Sequence, residues 1–268
     1  MRIFITVTEE PVFINPFLKK VIQARHSEIC GIAIVSGSIL NPKKGKSRIK
    51  YLLTIALITD PIQFIKKAAI VITFNLFQLI KRTGITNPLS IAKVACEFNI
   101  LVTHIANPNS AEFIEFLRQN EPDVIINQAQ AILKSDFISV PKIGCLNRHG
   151  ALLPKYRGRL APFWAYVNNE KETGVSIHFI DEKIDNGPIL VQKKVKIGRF
   201  DTLDTLLEKV FSITPQAMLE ALELIESGQY KDRLITNDSK YACYYSSPGI
   251  SDGFKYRSIM LRRMWHGE

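Results

Sequence analysis

Glycine is missing where a nucleotide-binding chain would need it. The first apolar run, RIFITV (2–7), leads into TVTEEPVF, with no G-x-G-x-x-G to bring backbone amides against a pyrophosphate. GKS at 45–47 lacks the earlier glycine of a P-loop, and the absence of G-x-S-x-G excludes an α/β-hydrolase elbow. Cysteine is scarce: Cys30, Cys96, Cys145 and Cys243 lie far apart, with no C-x-x-C pair and no Cys/His cluster at zinc spacing. This excludes a disulfide scaffold, and no metal site is expected. Three of the four sit in apolar stretches and read as small core residues of a reducing compartment. The start, MRIFITVTEE, is not a signal peptide, because two acids follow a short apolar run. The most apolar run, AAIVITFNLFQLI (68–80), has thirteen residues, fewer than the roughly 20 a membrane-spanning helix needs. A cytoplasmic protein without a transmembrane segment is the expectation.

Acidic residues are also in short supply, but only in one part of the chain. Of 268 residues, 35 are Lys or Arg and 25 Asp or Glu, a net +10, while 46% hydrophobic content is enough for a sizeable core. Residues 1–100 carry 14 basic and 5 acidic side chains, a net +9; the remainder carry 21 and 20. The excess lies in NPKKGKSRIK (41–50) and at the ends of the apolar run, at Lys66, Lys67, Lys81 and Arg82. It reads as a patch for a phosphate-bearing partner, as an interfacial helix on anionic lipid, or as a solvated rim. The run is too continuous for a clean interfacial helix and predicts a buried helix or a subunit contact. A homodimer is the corresponding expectation.

The pattern alternates strands and helices. Strands are expected at 2–7, 28–35, 100–105, 123–127 and 143–149, separated by helices at 15–24, 47–82 (interrupted at Asp60-Pro61), 88–99 and 110–120. Near-continuously apolar strands in such an order imply a mostly parallel sheet covered on both faces. After a helix at 162–167, strands 173–180 and 188–197 read as a hairpin. A long helix follows at 201–228, capped by Asp201 or Thr202, ended by Gly228, and expected to kink or split at Pro215. The last forty residues hold a short strand candidate, YACYYS, and a basic tail.

An α/β chain without a phosphate loop must place its chemistry elsewhere along the carboxyl ends of its strands. Asn147 and His149 end one strand, and two-residue periodicity sets them on the same side. An amide and an imidazole together can hydrogen-bond an oxygen that becomes negative in acyl transfer. A carboxylate near His149 would raise its pKa, and Asp185 in the DEKIDNGP turn could supply it. His178, in VSIHFI, either faces this site or is a structural histidine. Lys155 and Arg157 either meet an acceptor phosphate or are solvated.

NRHGALLPKYRG (147–158) and ETGVSIHFIDEKIDNGPIL (172–190), with 36 residues from His149 to Asp185, resemble the formyltransferases that use 10-formyltetrahydrofolate. That family includes the glycinamide ribonucleotide, methionyl-tRNA and nucleotide-amino-sugar enzymes. The resemblance covers about 120–200; Ala151 stands where the family often has Ser, and the basic 41–82 segment is longer than compact members need. It implies a Rossmann-like α/β catalytic domain over 1–197 with a basic helical insertion at about 41–87, then a small helical C-terminal extension at 198–268. It also implies a catalytic trio of Asn147, protonated His149 and Asp185. The pterin would lie against Asn127, Gln128, Ala129, Ala131, Ile132 and Leu133 on one side and Ile180 and Asp181 on the other. No metal is implied. The glycinamide ribonucleotide acceptor would demand a phosphate loop, and the methionyl-tRNA enzyme carries a further β-barrel. A nucleotide-linked amino sugar is therefore the first expectation for the amine acceptor, with tRNA second and hydrolysis of the formyl donor as another alternative.

Overall fold

The computed structural model describes residues 1–36, 46–80 and 87–266. Residues 41–45 of the basic 41–50 segment, with Lys81 and Arg82, lie outside them. In chain order the elements are β1 (Ile3–Val7), α1 (Ile14–Arg25), β2 (Ile29–Val35), α2 (Lys46–Ile58), α3 (Pro61–Ile80), α4 (Ile91–Glu97) and β3 (Val102–Ile105). Then come α5 (Ala111–Gln119), β4 (Val124–Gln128), α6 (Ser135–Ile138), β5 (Gly144–His149), β6 (Arg157–Gly158), α7 (Ala161–Val167), β7 (Glu172–Phe179) and β8 (Ile189–Lys196). The chain continues through α8 (Leu203–Glu226), α9 (Tyr230–Arg233), β9 (Tyr244–Tyr245) and α10 (Ile250–His266).

Seven strands form one sheet in the order β3-β2-β1-β4-β5-β7-β8. The first five are parallel, and β7 and β8 join antiparallel as the expected hairpin. Alternation divides each strand between two cores. Ile3, Ile5 and Val7 pack with Leu18, Ile22, Val94, Met218 and Leu222 from α1, α4 and α8. Phe4, Ile125 and Cys145 point the other way, against Phe113, Ile114 and Leu117 of α5 and Phe137 of α6. Burying each such side chain is worth about 1.5–3 kcal/mol, which fixes the register against a one-residue slip.

The turn after β1 shows what replaces the missing glycines. Glu10 accepts hydrogen bonds from the backbone amides of Val12, Phe13 and Ile14 at 2.8, 2.7 and 3.1 Å. A carboxylate of the chain thus occupies the positive N-terminus of α1, the place a phosphate takes in dinucleotide folds.

Three expectations are corrected. The helix does not split at Pro215: α8 runs unbroken from Leu203 to Glu226, opened by a Thr202–Thr205 capping box. Ala217, Met218, Ala221 and Leu222 on its buried face hold the later turns against the sheet, which offsets the hydrogen bond proline removes. The boundary at 197/198 therefore falls before a helix that supplies part of the main core. The cysteines are less buried than their apolar neighbours implied: Cys145 is buried, Cys30 and Cys243 are half-buried, and Cys96 is exposed near the end of α4. Finally, α3 is not a buried helix. It starts at Pro61, so the stretch 61–79 reaches 19 residues with mean hydropathy 1.3, long and apolar enough to cross a membrane by length and composition. Phe74 is its one buried side chain among the described residues.

Candidate active site

Strand register assembles the site. Thr6 pairs with Asn127, Asn127 with Asn147, and Asn147 with His178, a row across β1, β4, β5 and β7. Strand order turns between β1 and β4, and open α/β sheets bind ligands outside the carboxyl ends of their strands at such a point. Thr6 Oγ1 donates to Asn127 Oδ1 at 2.7 Å, and Gln128 Nε2 donates to Asn147 Oδ1 at 3.2 Å. With its oxygen held, the Asn147 amide nitrogen faces His178 Nε2 at 3.3 Å and Asp185 Oδ1 at 3.4 Å. His178 Nδ1 lies 2.8 Å from the Phe179 carbonyl, which only accepts, so Nδ1 carries a proton; Nε2 faces both the Asn147 amide and, at 3.7 Å, Asp185 Oδ1. Asn147 thus donates to Asp185 and meets His178 through long, weak contacts.

His149 has both ring nitrogens committed. Nε2 donates to the Tyr156 carbonyl at 2.7 Å, and Nδ1 stands 3.3 Å from Asp185 Oδ2. Burial works to raise the Asp185 pKa. The neighbouring His149 and His178 and the Gly158 amide (2.8 Å) outweigh it and hold the carboxyl well below the usual range. Burial lowers the His149 pKa below its ordinary value against the opposing pull of Asp185. The ionised state of Asp185 governs the pair, because it accepts hydrogen bonds whatever the imidazole does. A proton on His149 Nδ1 is shared toward that carboxylate, and direct donation from Nε2 to a ligand requires exchange with the Tyr156 carbonyl.

The turn carrying Asp185 is held from several sides. Asp185 has φ +49°, a left-handed conformation that aspartate and asparagine tolerate better than most side chains. Asn237 Nδ2 donates to the Asp185 and Gly187 carbonyls at 2.9 and 3.0 Å. A β-carbon at Gly187 would come within 2.0 Å of the Phe179 carbonyl oxygen, and one at Gly158 (φ +99°) within 2.2 Å of that of Tyr245. At Gly158 the parallel pairing of β6 with β9 requires this close approach. Stacked rings of Tyr156, Tyr245 and Trp164 brace the same loop. Asn237 carried no sequence signal, since its contact to Asp185 spans 52 residues in an irregular stretch.

The remaining site residues fall into two groups. Leu133 and Ile180 meet in one apolar cluster with Phe4 and Phe137, so the 127–133 and 180–181 segments adjoin. Ala129 N donates to Asn127 Oδ1 at 3.2 Å; Ala131 is partly exposed and Ile132 exposed; Asp181 accepts from Lys183 N and Asn186 Nδ2. The two basic residues are engaged elsewhere. The buried Arg157 guanidinium donates to Asn186 and Asn237, each at 2.8 Å, and so clamps the Asp185 turn instead of facing outward. Lys155 pairs with Glu170 at 3.3 Å beside a separate cavity of about 330 Å³ lined by Glu170, Glu172, Thr173 and Tyr241. None of Asn147, His149 and Asp185 lines it. Among the described residues no group of three or more His, Cys, Asp or Glu is placed to hold a metal ion.

A sequence model described as formyl transferase matches residues 69–222, more than half of the chain. The chain belongs to the formyltransferase family. It is 37% identical over 158 residues to the methionyl-tRNA formyltransferase of Kosmotoga olearia, covering 59% of this chain and 50% of that protein. It is 33% identical over 165 residues to the bifunctional polymyxin resistance protein ArnA of Wigglesworthia glossinidia brevipalpis, covering 61% of this chain and 25% of that protein. It spans about half the length of the methionyl-tRNA formyltransferases it matches. In fold, it resembles a sugar N-formyltransferase from a Shewanella species, with TM-score 0.58, 17% identity and coverage of 100% and 89% of the two chains. It resembles glycinamide ribonucleotide transformylase 1 of Symbiobacterium toebii with the same score, 15% identity and coverage of 85% and 88%. Proteins of this family transfer formyl groups, and the fold and chemistry expected from the sequence motifs agree with that membership.

Proposed function

We propose that this formyltransferase moves a formyl group from 10-formyltetrahydrofolate to the primary amine of a nucleotide-linked amino sugar. The observation that carries the transfer chemistry is the loosely held Asn147 amide beside the His149–Asp185 pair, at the point where the strand order turns.

The donor set fits a formyl group. Asn147 Nδ2 makes only bonds of 3.3 and 3.4 Å, so one N–H can turn to a ligand oxygen at little cost. The main chain of 127–133 and the walls at Leu133, Ile180 and Asp181 would hold the pterin, and the bound co-substrate supplies the activated formyl group. Asn147 would donate to the oxygen as negative charge develops on it, an interaction stronger in the transition state than before it. His149 would hold a proton at Nδ1 against Asp185 Oδ2. Because burial disfavours the charged imidazole, His149 would keep that proton mainly while negative charge is nearby. His178 and Gln128 would orient Asn147, and Arg157 and Asn237 would fix the Asp185 turn.

The amino-sugar reading is supported by the Shewanella sugar N-formyltransferase, whose fold covers the whole of this chain. Glu10, whose carboxylate fills the helix N-terminus after β1, weighs against a glycinamide ribonucleotide acceptor with its phosphate bound there. A second reading, formylation of methionyl-tRNA, is favoured by sequence relatives at 37% and 35% identity. Release of tetrahydrofolate from 10-formyltetrahydrofolate, measured with nucleotide-linked amino sugars, with methionyl-tRNA and with water alone, tests these readings. Turnover dependent on the amino sugar is expected; turnover with methionyl-tRNA alone would replace the acceptor, and no turnover with either would sink the transferase reading.

A further inference from the structure

The apolar run of α3 divides into two rows that the sequence does not distinguish. The inner row is anchored: Phe74 is buried, Lys67 pairs with Asp204, and the Phe74 carbonyl accepts from Asn87 Nδ2 at 3.0 Å. The outer row is Ile62, Ile65, Ala69, Ile72, Leu76 and Leu79, all exposed, Ile65 at 68% and Leu79 at 76%. Their spacing of 3, 4, 3, 4 and 3 residues makes a straight apolar stripe along the helix, about 26 Å long. Soluble monomers rarely leave a contiguous stripe of this kind in water.

Charge decides what covers it. Between 46 and 80 the chain has Lys46, Arg48, Lys50, Lys66 and Lys67 against Asp60 alone, and α3 itself has no acid. The neighbouring α10 is tied to the α2–α3 corner by Arg257, which donates to the Thr59 carbonyl at 2.8 Å. It repeats the composition, with exposed Phe254, Leu261 and Trp265 among exposed Lys255 and Arg262. A second copy would set cations against cations, since the acids beside the stripe are engaged within the chain, Asp60 with the Ile62 and Gln63 amides and Glu9 with Gln78 and the Ile91 amide. A membrane-spanning course would pull Phe74 and the Lys67–Asp204 pair away from the folded domain. A surface that is apolar within and negative at its boundary satisfies both features.

We propose that the outer face of α3 docks on an anionic lipid bilayer, the helix lying in the plane of the interface while the catalytic domain stays in water. Burial of the isoleucines and leucines supplies the apolar part, and each cation held near an anionic leaflet strengthens binding roughly fivefold. The face lies outside the proposed catalytic cluster, so docking places the enzyme without taking part in formyl transfer.

Sedimentation of the full chain with phosphatidylglycerol–phosphatidylcholine vesicles tests this. The wild type is expected to sediment with them, weakly at high salt and weakly with phosphatidylcholine alone. The double variant Ile65→Glu/Ile72→Glu should lose on the order of tenfold or more of the binding, with far-UV circular dichroism and thermal midpoint unchanged. Should that variant misfold, Lys66→Glu at an exposed position weakens binding to anionic vesicles about fivefold or more without touching the inner row. Failure of the wild type to sediment with anionic vesicles overturns the proposal. So does a wild-type dimer in analytical ultracentrifugation that the double variant dissociates, which assigns the face to a second copy.

Discussion

His149 Nδ1 stands 3.3 Å from Asp185 Oδ2, while its other ring nitrogen is held 2.7 Å from the Tyr156 carbonyl. Replacing Asp185 by Asn keeps the shape and an oxygen for the Gly158 amide but removes the charge that favours a protonated imidazole. The His149 pKa should then fall further, because burial is left with less opposition. In Asp185→Asn we expect kcat to drop on the order of 10²-fold or more, with a smaller change in KM. The His149 ring resonance, followed by NMR, should titrate at lower pH than in the wild type. An unmoved titration would show that the carboxylate does not govern this proton.

The same pair sets a pH dependence of stability. His149 lies below its ordinary value of 6.5 in the folded state, chiefly through burial, so the unfolded chain takes up this proton first as pH falls. Stability therefore declines below about pH 6.5. Asp185 lies below its ordinary 3.8, so its contribution is complete above that value and is lost as pH falls through the folded pKa. Both effects act toward acid. Thermal unfolding across a pH series should show a midpoint falling in two stages, and His149→Gln should lack the upper stage and, having lost the strongest attraction on Asp185, show a weakened lower one. Identical curves for the two proteins would remove His149 as the source.

What could be read in advance follows from how local each signal is. Asn147 and His149 were legible as neighbours because they lie two residues apart on one strand, whereas Asp185 was joined to them by the family resemblance, and the fold sets it 3.3 Å from His149. The near-continuously apolar strands likewise pointed to a sheet covered on both faces, as found. The exposure of α3 was hidden, since an apolar sequence does not say which side meets the protein and which meets solvent. Glu10 was visible only as the place where glycine was lacking; that its carboxylate caps α1 needed the turn geometry. The commitment of Arg157 depended on Asn237, eighty residues away, and no spacing rule reaches that far.

Asn237 is a positioning residue by geometry. Its amide nitrogen serves two carbonyls of the Asp185 turn, and its oxygen accepts from Arg157. Asn237→Ala leaves these groups unpaired and should cost about 1–3 kcal/mol of stability. With Asp185 at φ +49° less well held, the turn should relax and kcat fall more than KM changes. Asn237→Asp restores an acceptor for Arg157 but no donor for the carbonyls, so it should rescue little of kcat. Full recovery in that variant would place the role of Asn237 in binding Arg157 alone.

Arg148 lies between the two catalytic candidates in sequence but points to the opposite face of β5, its guanidinium 4.1 Å from the Phe211 ring of α8. Its Nε and Nη1 are buried without a hydrogen-bond partner among the described residues, and burial lowers its pKa to about 10. Asp185 and, less strongly, Glu10 attract it, although the Glu10 carboxylate is spent on the amides of α1. A guanidinium so placed bears a desolvation cost at Nε and Nη1 that the stacking on Phe211 and the attraction of Asp185 and Glu10 offset in part. Arg148→Met fills much of the same volume, keeps contact with Phe211 and removes the buried charge. Thermal unfolding of this variant should show stability unchanged or raised by about 1 kcal/mol, against the destabilisation usual for a core substitution. A loss of more than about 1 kcal/mol would mean that the two unpaired nitrogens meet ordered water or a bound anion, and that Arg148 is a paired group after all.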